Sequence, residues 1–168
     1  LTPRSIIRII SKAKNSMISP TSFTSDIENT HSSELISELY RSYQAELHKN
    51  NALDFDDLLV ETVRRFNETP SVMASYQERF QYTHVDEYQD TNRPQYMLCQ
   101  QWSGETRNLC VVGDDDQSIY KFRGADIRNI LDFEKDYADA KIIRLEQNYR
   151  STGRILQAAN AVISQNKN

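Results

Sequence analysis

Val85-Asp86-Glu87-Tyr88-Gln89-Asp90-Thr91-Asn92 and, further along, Val111-Val112-Gly113-Asp114-Asp115-Asp116-Gln117-Ser118-Ile119-Tyr120 each carry an apolar run into a polar, acid-rich stretch. In open α/β sheets, ligands bind outside the carboxyl ends of the strands. Carboxylates at that end are placed to hold metal-bound phosphates. Two such strand ends in one chain amount to half of a nucleotide-hydrolysing site. The other half is a glycine-rich phosphate loop ending in Lys-Ser/Thr. It occurs nowhere among the 168 residues.

Around these stretches the pattern alternates. Residues 82–85, 109–112 and 142–145 are short apolar runs, with helical patterns between them over 95–102 and 126–133 and a closing helix over 153–163. Strands alternating with helices predict a parallel sheet with crossover connections. Upstream the chain reads as helical throughout. Thr2 and Pro3 start a segment carrying Ile6, Ile7, Ile9 and Ile10. A Ser/Thr-rich loop over 19–30 follows, then an amphipathic helix from Ser33 to the Asn50-Asn51 stop. Its stripe is Leu35, Leu39, Tyr43 and Leu47, with Ile36 and Tyr40 beside it. Asp54 reads as the N-cap of a helix with Phe55, Leu58, Leu59, Val63 and Phe66 on one side, and Pro70 as the start of a short helix to about Phe80. The composition shifts near Gln81. The fold class expected is α/β: a partial parallel sheet with flanking helices, preceded by an all-helical subdomain.

Composition narrows the function classes. At 38% hydrophobic and 26% charged residues, the chain has the make-up of an ordinary water-soluble domain. No apolar run is long enough to span a membrane, and no charged-then-apolar leader marks it for secretion. Cys99 and Cys110 read as free core thiols in a reducing cytoplasm, and His84 on its strand as a satisfied core residue. His31, His48 and His84 lack zinc-ligand spacing. A net charge of −4 argues against gripping DNA by bulk electrostatics, yet leaves room for single-strand binding by aromatic stacking and a few placed arginines.

Four motifs now stand in order: Leu53-Asp54-Phe55-Asp56-Asp57-Leu58-Leu59, Val85 through Asn92, Gly113 through Ala125, and Leu145-Glu146-Gln147-Asn148-Tyr149-Arg150-Ser151. Their order and style resemble the UvrD/Rep/PcrA helicases of superfamily 1, and the Gln147 to Asn160 stretch, with Ser151-Thr152-Gly153-Arg154-Ile155-Leu156, is most similar to the Rep branch. The resemblance implies a RecA-like sheet with an inserted helical subdomain. It also implies ATP and Mg²⁺ as cofactors, and single-stranded DNA and duplex junctions as partners, with movement 3′ to 5′.

The resemblance assigns roles residue by residue. Asp86 becomes the Mg²⁺ ligand, since that ion takes hard oxygen donors, and Glu87 the group that orients or deprotonates the lytic water. A lone Asp-Glu is otherwise a solvated acidic turn. Gln117 becomes a γ-phosphate sensor, a neutral amide that adds no repulsion. Tyr120 and Phe122 alternate with Lys121 and Arg123, a pattern suited to stacking bases and neutralising phosphates. Tyr120 and Phe122 are the stacking candidates, although either could fill core instead. Many relatives carry Trp where Phe122 stands. Arg123 reaches toward nucleotide phosphate or the DNA path. Tyr149 stacks on adenine, and Arg150 reaches the γ-phosphate from a second domain, the plainer alternative being a surface arginine. The acids of the 53–59 motif cap and complement their helix and are not catalytic.

The expected organisation is the later part of the helical subdomain over 1–80, the second half of the first RecA-like domain over 81–146 and the start of the second over 147–168. On this reading the chain is an internal fragment whose missing phosphate-loop strand leaves sheet edges open to self-association. Without a phosphate cradle it is expected to be inactive alone. The alternatives are a non-catalytic DNA-binding or interaction module, and the helicase part of a helicase–nuclease.

Overall fold

A computed structural model describes residues 2–23 and 30–166. The helical first half is built on local caps. The Thr2 hydroxyl accepts from the Ser5 N–H at 3.2 Å, and the Ser5 hydroxyl accepts from the Thr2 N–H at 2.9 Å. This reciprocal box starts α1 (Pro3–Asn15). Asp54 and Asp57 make the same exchange, at 2.8 and 3.3 Å, to start α3 (Phe55–Glu68). Between them lies α2 (Thr30–Lys49), which begins three residues before the expected Ser33. The loop expected over 19–30 falls partly outside the described residues. Pro70 opens α4 (Pro70–Arg79).

The second half holds a parallel pair. β1 (Thr83–Val85) and β2 (Leu109–Val111) run in register Thr83↔Leu109, His84↔Cys110 and Val85↔Val111. The crossover between them is α5 (Arg93–Ser103), capped by another reciprocal box between Asn92 and Gln95. The ladder runs past the strands: Val112 N–H donates to Val85 C=O at 2.8 Å and Tyr88 N–H to Val112 C=O at 3.0 Å. Both acid-rich stretches therefore leave the sheet side by side.

Three apolar clusters hold these layers. Ile10, Ala13 and Tyr40 join α1 to α2, with Phe23 edge-on to Tyr40 at 5.8 Å. Val63 and Phe66 of α3 meet Leu98 of α5, which fastens the helical half to the sheet's own helix. Tyr88, Tyr96 and Cys99 pack with Val85, Leu109 and Val111 against Ile130 and Phe133. Fully burying an aliphatic side chain such as Val63 stabilises by about 1.5–3 kcal/mol, so the middle cluster is a firm joint.

Several expectations need correction. Residues 142–145 form no strand. No backbone hydrogen bond links them to β1 or β2 among the described residues, and Ile142, Ile143 and Leu145 are 51, 69 and 85% exposed. An extended run becomes a strand only where a ladder partner stands next to it. The helix expected over 126–133 is two short helices, α6 (Arg128–Leu131) and α7 (Phe133–Asp136), broken at Asp132. The closing helix α8 (Gly153–Ile163) forms as expected but buries no side chain. His84 and Cys110 are exposed register partners on the open face of the pair, so neither is a core residue, whereas Cys99 is buried. In α2 the buried stripe runs through Ile36 and Tyr40, and Leu35 is exposed. Phe55 and Leu58 stand in solvent rather than on the packed side of α3.

Candidate functional site

The segment after β1 is tightly constrained. Glu87 takes a left-handed backbone, φ 51° and ψ 43°. That conformation costs a non-glycine residue about 1–2 kcal/mol, and such residues gather at functional sites. Its N–H donates to the Asp86 carboxylate at 3.0 Å, and its own carboxylate accepts from Gln89 Nε2 at 2.7 Å. Asp86 is exposed, and its second oxygen has no protein partner among the described residues. An exposed hard oxygen donor at a strand end fits Mg²⁺, which binds through one or two carboxylates and keeps several waters.

The segment after β2 meets it. Asp114 N–H donates to Gln89 Oε1 at 3.1 Å, and Asp114 Oδ2 accepts from Gln117 Nε2 at 2.7 Å. Gly113 is required by space, not by φ: a Cβ there would lie 2.6 Å from Gln89 Oε1 and 2.7 Å from Ile130 Cδ1. Gln117 therefore stands in the same hydrogen-bonded array as Glu87, but it is held by Asp114 and makes no direct contact with Glu87.

The aromatic stretch forms a separate wall. Asp90 Oδ1 accepts from the Ile119 and Tyr120 N–H groups at 3.2 and 3.3 Å, hanging this stretch on the β1 strand end. Tyr120 and Phe122 lie 5.9 Å apart with rings tilted by 38°, and the Arg123 guanidinium covers both at 5.2 and 5.6 Å. Phe122 is 78% exposed, which excludes the core-filling alternative for that ring, and Tyr120 is also exposed. With Asn15, Asp56, Asp90 and Asn92 these three residues line a cleft of about 470 Å³. Phe55, 90% exposed, directly precedes Asp56 of the cleft wall. The three residues thus meet each other, while Asp86 and Glu87 stand at the opposite end of the 86–92 segment.

Tyr149 and Arg150 are brought to neither place. Tyr149 is 92% exposed, and among the described residues Arg150 is tied through its backbone N–H to Asn148 Oδ1 at 2.9 Å.

On the helical side of the cleft, the Asn15 amide ties α3 to the 86–92 segment. Asn15 Nδ2 donates to Asp56 Oδ1 at 2.8 Å and Asn15 Oδ1 accepts from Asn92 Nδ2 at 2.6 Å. Next to it, Lys14 is buried between Asp54 and Asp57. Burial pushes the Asp54 carboxyl up. The Lys14 ammonium, the Asp57 N–H and the Tyr43 hydroxyl outweigh that and hold it below the usual carboxylate range. The Tyr43 phenol is pushed up to about 12 by burial and by its bond to Asp54. Gln89, Asp90, Asn15 and Lys14 escaped sequence reasoning. Only Gln89 and Asp90 carried a signal, their place inside the acidic motif.

Comparison with known proteins agrees with this architecture. Residues 1–138 match the family described as UvrD/REP helicase N-terminal domain. The chain is 57% identical over 166 residues to the ATP-dependent DNA helicase PcrA of Bacillus subtilis (strain 168), covering 99% of this chain and 22% of that protein. It is 52% identical over 164 residues to the PcrA proteins of Staphylococcus epidermidis (strain ATCC 12228 / FDA PCI 1200) and Staphylococcus aureus (strain NCTC 8325 / PS 47), covering 98% of this chain and 22% of each. The chain spans about a fifth of the length of these relatives. No helix among the described residues is long and apolar enough to cross a membrane. With a parallel pair ending in two joined acidic stretches, and a family match running from its first residue to Tyr137 and Ala138, the chain belongs to the UvrD/REP helicase N-terminal domain family.

Proposed function

We propose that this chain supplies the metal-binding, water-orienting and part of the DNA-contacting side of an ATP-dependent helicase motor that moves 3′ to 5′ on single-stranded DNA and unwinds duplex junctions. The observation that carries this reading is the join between the two strand ends, where Gln89 touches both Glu87 and the Asp114 N–H. One side of the 86–92 segment faces phosphate chemistry, and Asp90 anchors the aromatic wall at its other end.

In this reading Asp86 holds Mg²⁺, and Mg²⁺ supplies charge neutralisation on the nucleotide phosphates. Glu87 orients the lytic water and Gln117 senses the γ-phosphate. Tyr120 and Phe122 stack bases, with Arg123 neutralising backbone phosphate beside them. Tyr149 and Arg150 act on adenine and γ-phosphate across a cleft that closes with a second domain. Residues 1–80 are the helical accessory part, 81–146 belong to the first RecA-like domain, and 147–168 lead to the second. By itself the chain hydrolyses no ATP, because β- and γ-phosphates lack the loop that cradles them.

The test uses a full-length chimera in which this chain replaces the matching segment of the Bacillus subtilis relative. DNA-stimulated turnover is expected from the chimera and none from the chain alone. Glu87→Gln in the chimera is expected to keep ATP binding and abolish hydrolysis. Turnover by the chain alone, or by the Glu87→Gln chimera, refutes the reading.

A further inference from the structure

Gln89 has no exposed surface, yet each end of its amide is engaged. Nε2 donates to Glu87 Oε2 at 2.7 Å, Oε1 accepts from the Asp114 N–H at 3.1 Å, and Asp114 Oδ2 accepts from Gln117 Nε2 at 2.7 Å. Three hydrogen bonds thus run unbroken from Glu87 to Gln117. The orientation of the amide is fixed by its surroundings. Flipped, it would set a carbonyl oxygen against a carboxylate and an NH₂ against an N–H. No other side chain of this length offers a neutral donor at one corner and an acceptor at the other. The fit is close as well, since a single carbon added at Gly113 would collide with Gln89 Oε1. Glu87 itself sits in a left-handed conformation that needs outside restraint, and Gln89 is the partner that restrains its side chain.

We propose that Gln89 is a positioning residue, which aims the Glu87 carboxylate and makes its orientation depend on where Asp114 and Gln117 lie. It touches no substrate. A shift of the β2 strand end, on which Gln117 rides, moves the Asp114 N–H, then the Gln89 amide, then the carboxylate. This rests on the reading of Glu87 as the water-orienting group.

The experiment uses the same full-length chimera with Gln89→Met, which keeps the volume and removes both polar atoms, and Gln89→Glu, which keeps the shape and removes the donor. For both, kcat of DNA-stimulated ATP hydrolysis is expected to fall about 10- to 100-fold, the effect of a misaimed catalytic group. KM for ATP and the affinity for a fluorescent non-hydrolysable ATP analogue are expected to stay within about twofold. Thermal unfolding is followed in parallel. If Gln89→Met loses its cooperative transition, the Gln89→Glu chimera decides. Wild-type kcat in the variants overturns the proposal, and so does a loss of ATP binding parallel to the loss of kcat, which marks a merely structural residue. Glu87→Gln separates the two levels. If that variant still turns over, the Glu87 reading fails; if it is dead while the Gln89 variants are normal, Gln89 alone fails.

Discussion

Lys14→Met probes the helical wall of the cleft with a magnitude the structure sets. Lys14 is 2% exposed, 2.7 Å from Asp54 Oδ2 and 2.8 Å from Asp57 Oδ1, and the Asp57 side chain is equally buried. After the substitution Asp54 keeps the Tyr43 hydroxyl at 3.0 Å and Asp57 keeps Gln44 Nε2 at 3.2 Å, so both acids stay hydrogen-bonded but lose their counter-charge. Removing one partner of a buried ion pair costs about 3–5 kcal/mol. For a chain of this size that is a fall of about 6–20 °C in Tm. The assay is urea and thermal unfolding of the chain followed by circular dichroism. The sign with pH follows from Asp54, whose folded pKa lies below the usual value. Its contribution is present above the unfolded pKa of about 3.9 and is lost as pH falls through the folded one. Wild-type stability therefore declines as pH falls below about 3.9, while protonation of Asp54 relieves its uncompensated charge in Lys14→Met, so the gap between the two narrows as pH falls through that range. Adding Asp57→Asn to Lys14→Met is expected to recover part of the loss. A loss under about 1 kcal/mol at pH 7, or a gap that widens in acid, refutes the reasoning.

Phe122→Ala in the full-length chimera is expected to weaken single-stranded DNA binding by about 1–3 kcal/mol in fluorescence anisotropy, the value of one base–aromatic stack. Phe122→Trp is expected to tighten it; unchanged affinity in both removes the ring from the DNA path. Gly113→Ala drives a Cβ into Gln89 Oε1 and Ile130 Cδ1. It is expected to destabilise the chain by about 1–3 kcal/mol in urea unfolding, the usual cost of overpacking, and a neutral result refutes the close fit.

Local signals carried most of the fold. Prolines and Ser, Thr or Asp caps act within a few residues, so the starts of α1, α3 and α4 were legible from Thr2-Pro3, Asp54 and Pro70. What failed depended on neighbours distant in sequence. Residues 142–145 are as apolar as a strand but pair with none among the described residues. The pleat turns His84 and Cys110 to an open face while Val85 and Val111 turn to α5, and no local pattern says which face is covered. Phe55 fits the apolar side of a helix by spacing, yet it precedes the turn where α3 begins to pack. The acidic motifs were legible as a site because their residue types are chemically restricted. Gln89 was not, because an amide inside a polar string reads the same whether it is solvated or clamped.

The 86–92 segment shows why the motif needs each of its side chains in order. Glu87 turns to the β2 strand end through Gln89, Asp90 caps the aromatic stretch, and Asn92 caps α5 while bonding Asn15 of the helical half. Thr91 adds a fourth tie, its C=O accepting from Asn129 Nδ2 at 3.0 Å and from the Asp126 N–H at 3.0 Å. Each of these partners lies on a different part of the fold. The segment is also too short and too heavily bonded to relax internally. A displacement of the aromatic wall must therefore rotate or shift the strand end that carries Glu87, unless hydrogen bonds of about 1 kcal/mol each, or more where a carboxylate accepts, are broken. Coupling between the aromatic wall and the Glu87 carboxylate then needs no long pathway. It is a consequence of hanging both from one rigid turn.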